Sequence, residues 1–79
     1  MKKEFKIIAQ LIKNNTRVLD VGCGDGTLMK YLKNEKNVDT RGLEISKNKV
    51  QNGISEGLSV IEGNAEKDLY QFPNLSFDY

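Results

Sequence analysis

The sequence predicts an α/β chain built on a parallel sheet. Three observations carry that prediction. β-rich runs alternate with helical ones in the order helix, then β-α-β-α-β, with a fourth strand starting as the chain ends. The first β-rich run, Arg17-Val18-Leu19-Asp20-Val21, breaks into Gly22-Cys23-Gly24-Asp25-Gly26, a glycine loop leading to a helix. An acidic residue, Glu44, follows about 20 residues later at the end of the second run.

Residues 4–14 read as a helix, because Phe5, Ile8 and Ile12 recur at helical spacing and Leu11 widens the stripe. Asn14-Asn15 marks its stop. Residues 17–21 form the first strand. The next helix runs from Thr27 to Lys33, with Leu28 and Leu32 on one face and Met29 beside them. The polar stretch Asn34 to Asn37 ends it. The second strand covers Asp39 to Ile45. Ser46 is placed to cap a third helix through its hydroxyl. That helix turns Val50 and Ile54 inward, although Gly53 weakens it by about 1 kcal/mol relative to alanine. Gly57 suits the left-handed residue that closes a helix. Leu58-Ser59-Val60-Ile61 is the third strand, and residues 65–70 hold one or two helical turns. Phe72-Pro73-Asn74 reads as a turn and Phe77-Asp78-Tyr79 as the start of a fourth strand.

Bulk composition narrows the functions. With 79 residues the chain holds one small domain at most, of marginal stability. Its net charge of +1 gives no footprint for nucleic acid or an anionic membrane, and neither is expected as a partner. There is one cysteine and no histidine, which excludes an internal disulfide, a Cys/His zinc cluster and a Ser-His or Cys-His nucleophile. The N-terminus shows neither a signal peptide nor a membrane span, so the cytoplasm is the expected compartment.

The glycine loop carries the chemistry. Ligands of open α/β sheets bind at the carboxyl ends of the strands. Glycine there permits φ > 0 and close approach of a ligand to the backbone. Dinucleotide loops read G-x-G-x-x-G, whereas this loop reads G-x-G-x-G, with Thr27 where the third glycine belongs. Asp20, two residues before the first glycine, would repel a pyrophosphate and tolerate, or attract through water, an ammonium or a sulfonium. A nicotinamide- or flavin-dependent oxidoreductase is therefore the weaker reading. A glycine turn that binds nothing is the plainer alternative. Glu44 stands where a carboxylate can accept two O–H bonds from a ribose diol; a solvated glutamate is its alternative. Gly63-Asn64-Ala65-Glu66 ends the third strand. There Asn64 is either an adenine-edge contact or simply a helix cap, and spacing favours the cap. Cys23, at a helix start, is read as a small residue beside the ligand. Asp25 is read as an acid favouring the helix dipole.

Together these pieces resemble the class I S-adenosylmethionine-dependent methyltransferases, from Arg17 to Tyr79. Val18 to Gly26 looks like that family's first motif, and Glu44 falls on its ribose-binding acid. Asn64 and Ala65 fall on its adenine contacts, where aspartate is commoner than asparagine. The finer match is to the methionine biosynthesis MetW family. It is similar in Arg17 to Leu28, in Arg41-Gly42-Leu43-Glu44-Ile45-Ser46 and in Gly57-Leu58-Ser59-Val60-Ile61. The resemblance implies a Rossmann-like class I methyltransferase fold, truncated to an N-terminal helix plus β-α-β-α-β and the start of a fourth strand. Residues 1–79 would form the incomplete N-terminal S-adenosylmethionine-binding part of one domain. Asp20, Gly22, Cys23, Gly24, Gly26, Glu44, Ile45, Asn64 and Ala65 would surround the cofactor, with no metal.

The resemblance also sets what is missing. A complete domain of that family has seven strands, with strand one between strands two and four. Here one side of strand one is expected to be an unpaired edge, open to self-association. The acceptor pocket normally follows strand four, so no catalytic residue is named and the 79 residues are expected not to turn over. Members of the MetW family are associated with methionine synthesis. A non-catalytic role beside a homoserine acyltransferase is the alternative function.

Overall fold

A computed structural model of the chain describes residues 1–72 and 77–79. Three strands, β1 (Arg17–Val21), β2 (Asp39–Glu44) and β3 (Val60–Glu62), form one parallel sheet in the order β1-β2-β3. Val18 pairs with Thr40 and Leu43 with Ile61. Parallel neighbours need long crossovers. These are α2 (Thr27–Lys36) and α3 (Lys47–Ser55), while α1 (Lys3–Leu11) precedes the sheet. After β3 come a one-turn helix, α4 (Ala65–Asp68), and a 3₁₀ turn (Leu69–Gln71). No helix among the described residues is long and apolar enough to cross a membrane.

The core lies between the helices and one face of the sheet. Ala9, Ile12, Val18, Leu28, Leu32 and Val38 form one cluster, with Phe5 packed against it. Cys23, Met29, Val50, Leu58 and Val60 form a second. Met29 and Leu32 are fully buried, as the α2 stripe requires. Gly42 lets α2 approach β2, since a Cβ there would lie 2.7 Å from both Cys23 Sγ and Met29 Sδ.

Several boundaries differ from the sequence reading. α1 stops at Leu11, because Ile12 is already extended. Within it Ala9 is buried and Phe5 half-buried, with Ile12 buried just beyond its end, while Ile8 and Leu11 face outward. α2 continues through the polar residues to Lys36, because only one of its faces needs apolar side chains. It closes at Asn37 (φ 51), where Val38 N–H donates back to Leu32 C=O at 3.2 Å. Asn15 is also left-handed and its amide oxygen accepts from Asn37 Nδ2 at 2.7 Å, so the α1–β1 turn is tied to the end of α2. Lys36 Nζ reinforces that tie by donating to the Ala9 and Ile12 carbonyls. β3 starts two residues later than expected, and Leu58 packs beneath Gly26 instead.

In α3, Val50 is buried as expected, but Ile54 is exposed and Gly53 takes the inward place. A Cβ on Gly53 would meet Val60 Cγ2 at 2.9 Å, so the glycine allows close helix–strand contact. Ser46 and Gly57 cap and close this helix as the sequence predicts.

The edge of β1 also departs from expectation. Leu19 N–H donates to Tyr79 C=O at 3.2 Å, and Tyr79 N–H donates to Arg17 C=O at 3.3 Å, the sense of a parallel neighbour. Arg17 N–H donates to Asp78 Oδ2 at 2.8 Å. The first half of β1 is thus covered rather than unpaired. The rings of Phe72 and Phe77 meet edge to face at 5.8 Å. The turn expected at Phe72-Pro73-Asn74 lies largely outside the described residues.

Candidate functional site at the strand ends

The carboxyl ends of the three strands meet at one pocket. It has a volume of about 200 Å³ and is lined by Val21, Gly22, Leu43, Glu44, Ile45, Gly63, Asn64 and Ala65. Typical small-molecule pockets hold roughly 300–1,000 Å³, so this is one wall of a site rather than an enclosure. A larger cleft of about 330 Å³, bridged by the Lys30–Glu56 ion pair, lies between α2 and α3. It does not gather the three strand ends, where open sheets bind ligands.

The loop after β1 is shaped from its own backbone outward. Gly22 (φ 72) and Gly24 (φ 62) are left-handed, and a Cβ on either would meet nothing within 4 Å. Their open side is therefore free for a ligand. Gly22 N–H and Cys23 N–H both donate to Leu43 C=O, at 2.7 and 3.3 Å, which pins the loop to β2. Gly26 is different. It is buried at the start of α2, and a Cβ there would collide with Leu58. Asp25 Oδ1 accepts from Thr27 Oγ1 at 2.7 Å and Thr27 N–H at 3.2 Å. These bonds, the hydroxyl's first, lower its pKa and fix it at the helix start.

Glu44 is buried, with 7% of its surface exposed. Oε1 accepts from Gly24 N–H at 2.8 Å and Oε2 from Ser46 N–H at 2.7 Å. The Ser46 bond first, then the Gly24 bond, hold its pKa below the ordinary value. Asp20, half-buried beneath the loop, is affected oppositely. Burial first, then the charge of Glu44, raises its pKa. Cys23 is buried, and burial, then Asp20 and Glu44, push its thiol up to about 11. A thiol so raised is not a nucleophile at neutral pH.

Asn64 caps α4, its Oδ1 accepting from Glu66 N–H at 2.8 Å, while its own N–H donates to Asp68 Oδ2 at 2.7 Å. Of the residues singled out from the sequence, Gly22, Glu44, Ile45, Asn64 and Ala65 line the pocket. Gly24 borders it through Glu44, whereas Cys23 and Gly26 are buried in the packing. The sequence reading missed the Leu43 carbonyl, the Ser46 amide and Asp68. Only Ser46 had left a signal, as the helix cap.

The Asp20 shift makes a prediction. A carboxyl whose folded pKa is raised binds more protons folded than unfolded, so its ionisation lowers stability as pH rises past 3.8, the ordinary value. Asp20→Asn is therefore expected to raise the thermal midpoint of the ligand-free chain at pH 7. The gain over wild type should shrink as pH falls towards 3.8. A gain that stays constant with pH would show that Asp20 is not under this strain.

The family model for the methionine biosynthesis protein MetW matches residues 2–79. The chain belongs to the MetW family. This MetW-family chain also resembles solved structures. A TehB-like SAM-dependent methyltransferase from Corynebacterium glutamicum is 21% identical, with a TM-score of 0.72 over 82% of this chain and 36% of that one. The YcgJ protein from Bacillus subtilis is 25% identical, with a TM-score of 0.75 over 94% and 34%. A SAM-dependent methyltransferase from Geobacter sulfurreducens, solved with S-adenosyl-L-homocysteine, is 19% identical, with a TM-score of 0.66 over 82% and 30%. The MetW-family chain thus spans about a third of the length of these structures. Its fold is the Rossmann-like class I methyltransferase fold. No curated protein sequence matches it.

Proposed function

We propose that the chain binds S-adenosylmethionine at the strand-end pocket. The pocket formed jointly by β1, β2 and β3 carries this reading. The open sides of Gly22 and Gly24 fit a bulky nucleoside, and the Glu44 carboxylate lines the pocket beside them. The name of the Geobacter structure, with its bound S-adenosyl-L-homocysteine, supports the ligand class.

Asp20, in this reading, faces the cationic end of the ligand. Gly22 and Gly24 offer backbone for close approach, with Cys23 and Gly26 shaping the loop beneath. Glu44 receives the ribose diol, because each carboxylate oxygen keeps one acceptor direction after its backbone bond. Ile45 covers an apolar face of the nucleoside. Asn64 and Ala65 meet the adenine edge. The sulfonium brings its own activated methyl group, so the work of these residues is to bind and orient. No side chain described here is assigned to a methyl acceptor. A role in methionine biosynthesis is part of the proposal, supported by the family's description, and contact with a homoserine acyltransferase is the accompanying partner proposal.

The test is thermal stabilisation by S-adenosylhomocysteine. A ligand that binds only the folded state adds about 2.7 kcal/mol at 100 times its Kd. A dose-dependent rise in midpoint is expected, with none from NADH. No rise at millimolar nucleoside, with the chain shown to be folded by circular dichroism, would sink the reading.

A further inference from the structure

We propose that Glu44 is a positioning residue, whose carboxylate braces the glycine loop against the start of α3 before any nucleoside arrives. The binding half of this proposal rests on the function proposed above; the brace itself does not.

Glu44 is almost fully buried, and a buried charge persists only when its oxygens are satisfied. Both are, and by backbone amides of two different loops. Oε1 takes the amide of Gly24, in the loop after β1. Oε2 takes the amide of Ser46, at the start of α3. No ion pair to Glu44 occurs among the described residues, so these amides are its principal partners. The Leu43 carbonyl pins Gly22 and Cys23, one step earlier in the loop. Glu44 carries the restraint on to Gly24, whose backbone is left-handed at φ 62.

An amide cannot replace this carboxylate. Glutamine has one oxygen, and its NH₂ group would face an N–H donor on the other side. In Glu44→Gln one of the two backbone amides loses its acceptor, and the loop is released from α3.

Amide hydrogen exchange, read by NMR on the ligand-free chain, tests the brace. Glu44→Gln is expected to speed exchange at Gly24 or Ser46 at least tenfold, with Gly42, bonded to Ser59 C=O, as the reference. Should that variant unfold, Ser46→Pro provides a second route. It removes the Ser46 donor at φ −79, which proline accepts, and leaves the carboxylate intact. Gly24 exchange should then rise severalfold. Unchanged exchange at Gly24 and Ser46 in a folded Glu44→Gln, or at Gly24 in a folded Ser46→Pro, would overturn the proposal.

A ligand comparison separates bracing from direct contact. S-adenosylhomocysteine is compared with its 2′,3′-dideoxy analogue on wild type and Glu44→Gln. A brace costs the variant about tenfold in affinity for both. If the variant binds the dideoxy analogue as wild type does, Glu44 acts only by touching the diol and positioning is overturned. Should wild type bind neither nucleoside, the proposed function fails, and the exchange rates alone decide the brace.

Discussion

Gly24→Val is expected to abolish stabilisation by S-adenosylhomocysteine. Gly24 has φ 62, a region where a β-branched residue is strained by about 1–2 kcal/mol. A Cβ there meets no protein atom within 4 Å, so the valine side chain would project into open space. On the proposed function, that space belongs to the nucleoside. Two effects are therefore expected together, a lower midpoint without ligand and no rise with it. Gly57→Val separates them. Gly57 has φ 81 and equally open surroundings, but it closes α3 beside Val38, Asp39 and Ser59, at the opposite ends of the strands from the glycine loop. It should show the same loss of stability and keep the full ligand response. If Gly24→Val retains the response, the ligand does not lie against this loop.

The loop was legible in the sequence because its signal is local. A strand running into closely spaced glycines leaves few conformations, and Gly22, Gly24 and Gly26 all take positive φ. The α2 stripe was legible for the same reason, since Leu28, Met29 and Leu32 need only helical spacing to reach one face. Glu44 was legible as a position but not as a geometry. Its spacing from the glycines places it at the end of β2, but no pattern announces that both oxygens hold backbone amides.

What stayed hidden depends on contacts between distant segments. Hydrophobicity favoured Ile54 as the inward residue of α3, but the helix approaches Val60 so closely that only Gly53 fits there. In α1 the larger Ile8 and Leu11 lost the core to Ala9, because the helix packs near α2. Size predicts burial only where space is available, and space is set by the partner. The same holds for the β1 edge. Nothing in Phe77-Asp78-Tyr79 as a string says that Asp78 will hold the amide of Arg17, or that the Tyr79 hydroxyl will reach Leu11 C=O at 3.4 Å.

Leu32→Ala is expected to be the most damaging substitution to the fold itself. Leu32 has no exposed surface and joins α1, β1 and α2 through Ala9, Ile12, Val18, Leu28 and Val38. Truncating a buried leucine to alanine costs about 2–5 kcal/mol, more where the cavity cannot collapse. Here the cavity would be walled by a sheet strand and two helices, which resist collapse. A domain of this size has a stability of roughly 4–12 kcal/mol, with small chains at the low end. Each 1 kcal/mol shifts the midpoint by about 4–8 °C. The variant should therefore melt at least about 10 °C below wild type, or lose its cooperative transition altogether. Leu11→Ala is the matched control, since Leu11 is a helical leucine with 71% of its surface exposed. It should change stability by no more than about 0.5 kcal/mol. Equal losses in the two variants, measured by urea and thermal denaturation, would mean that the buried face of α1 and α2 is not where this chain keeps its core.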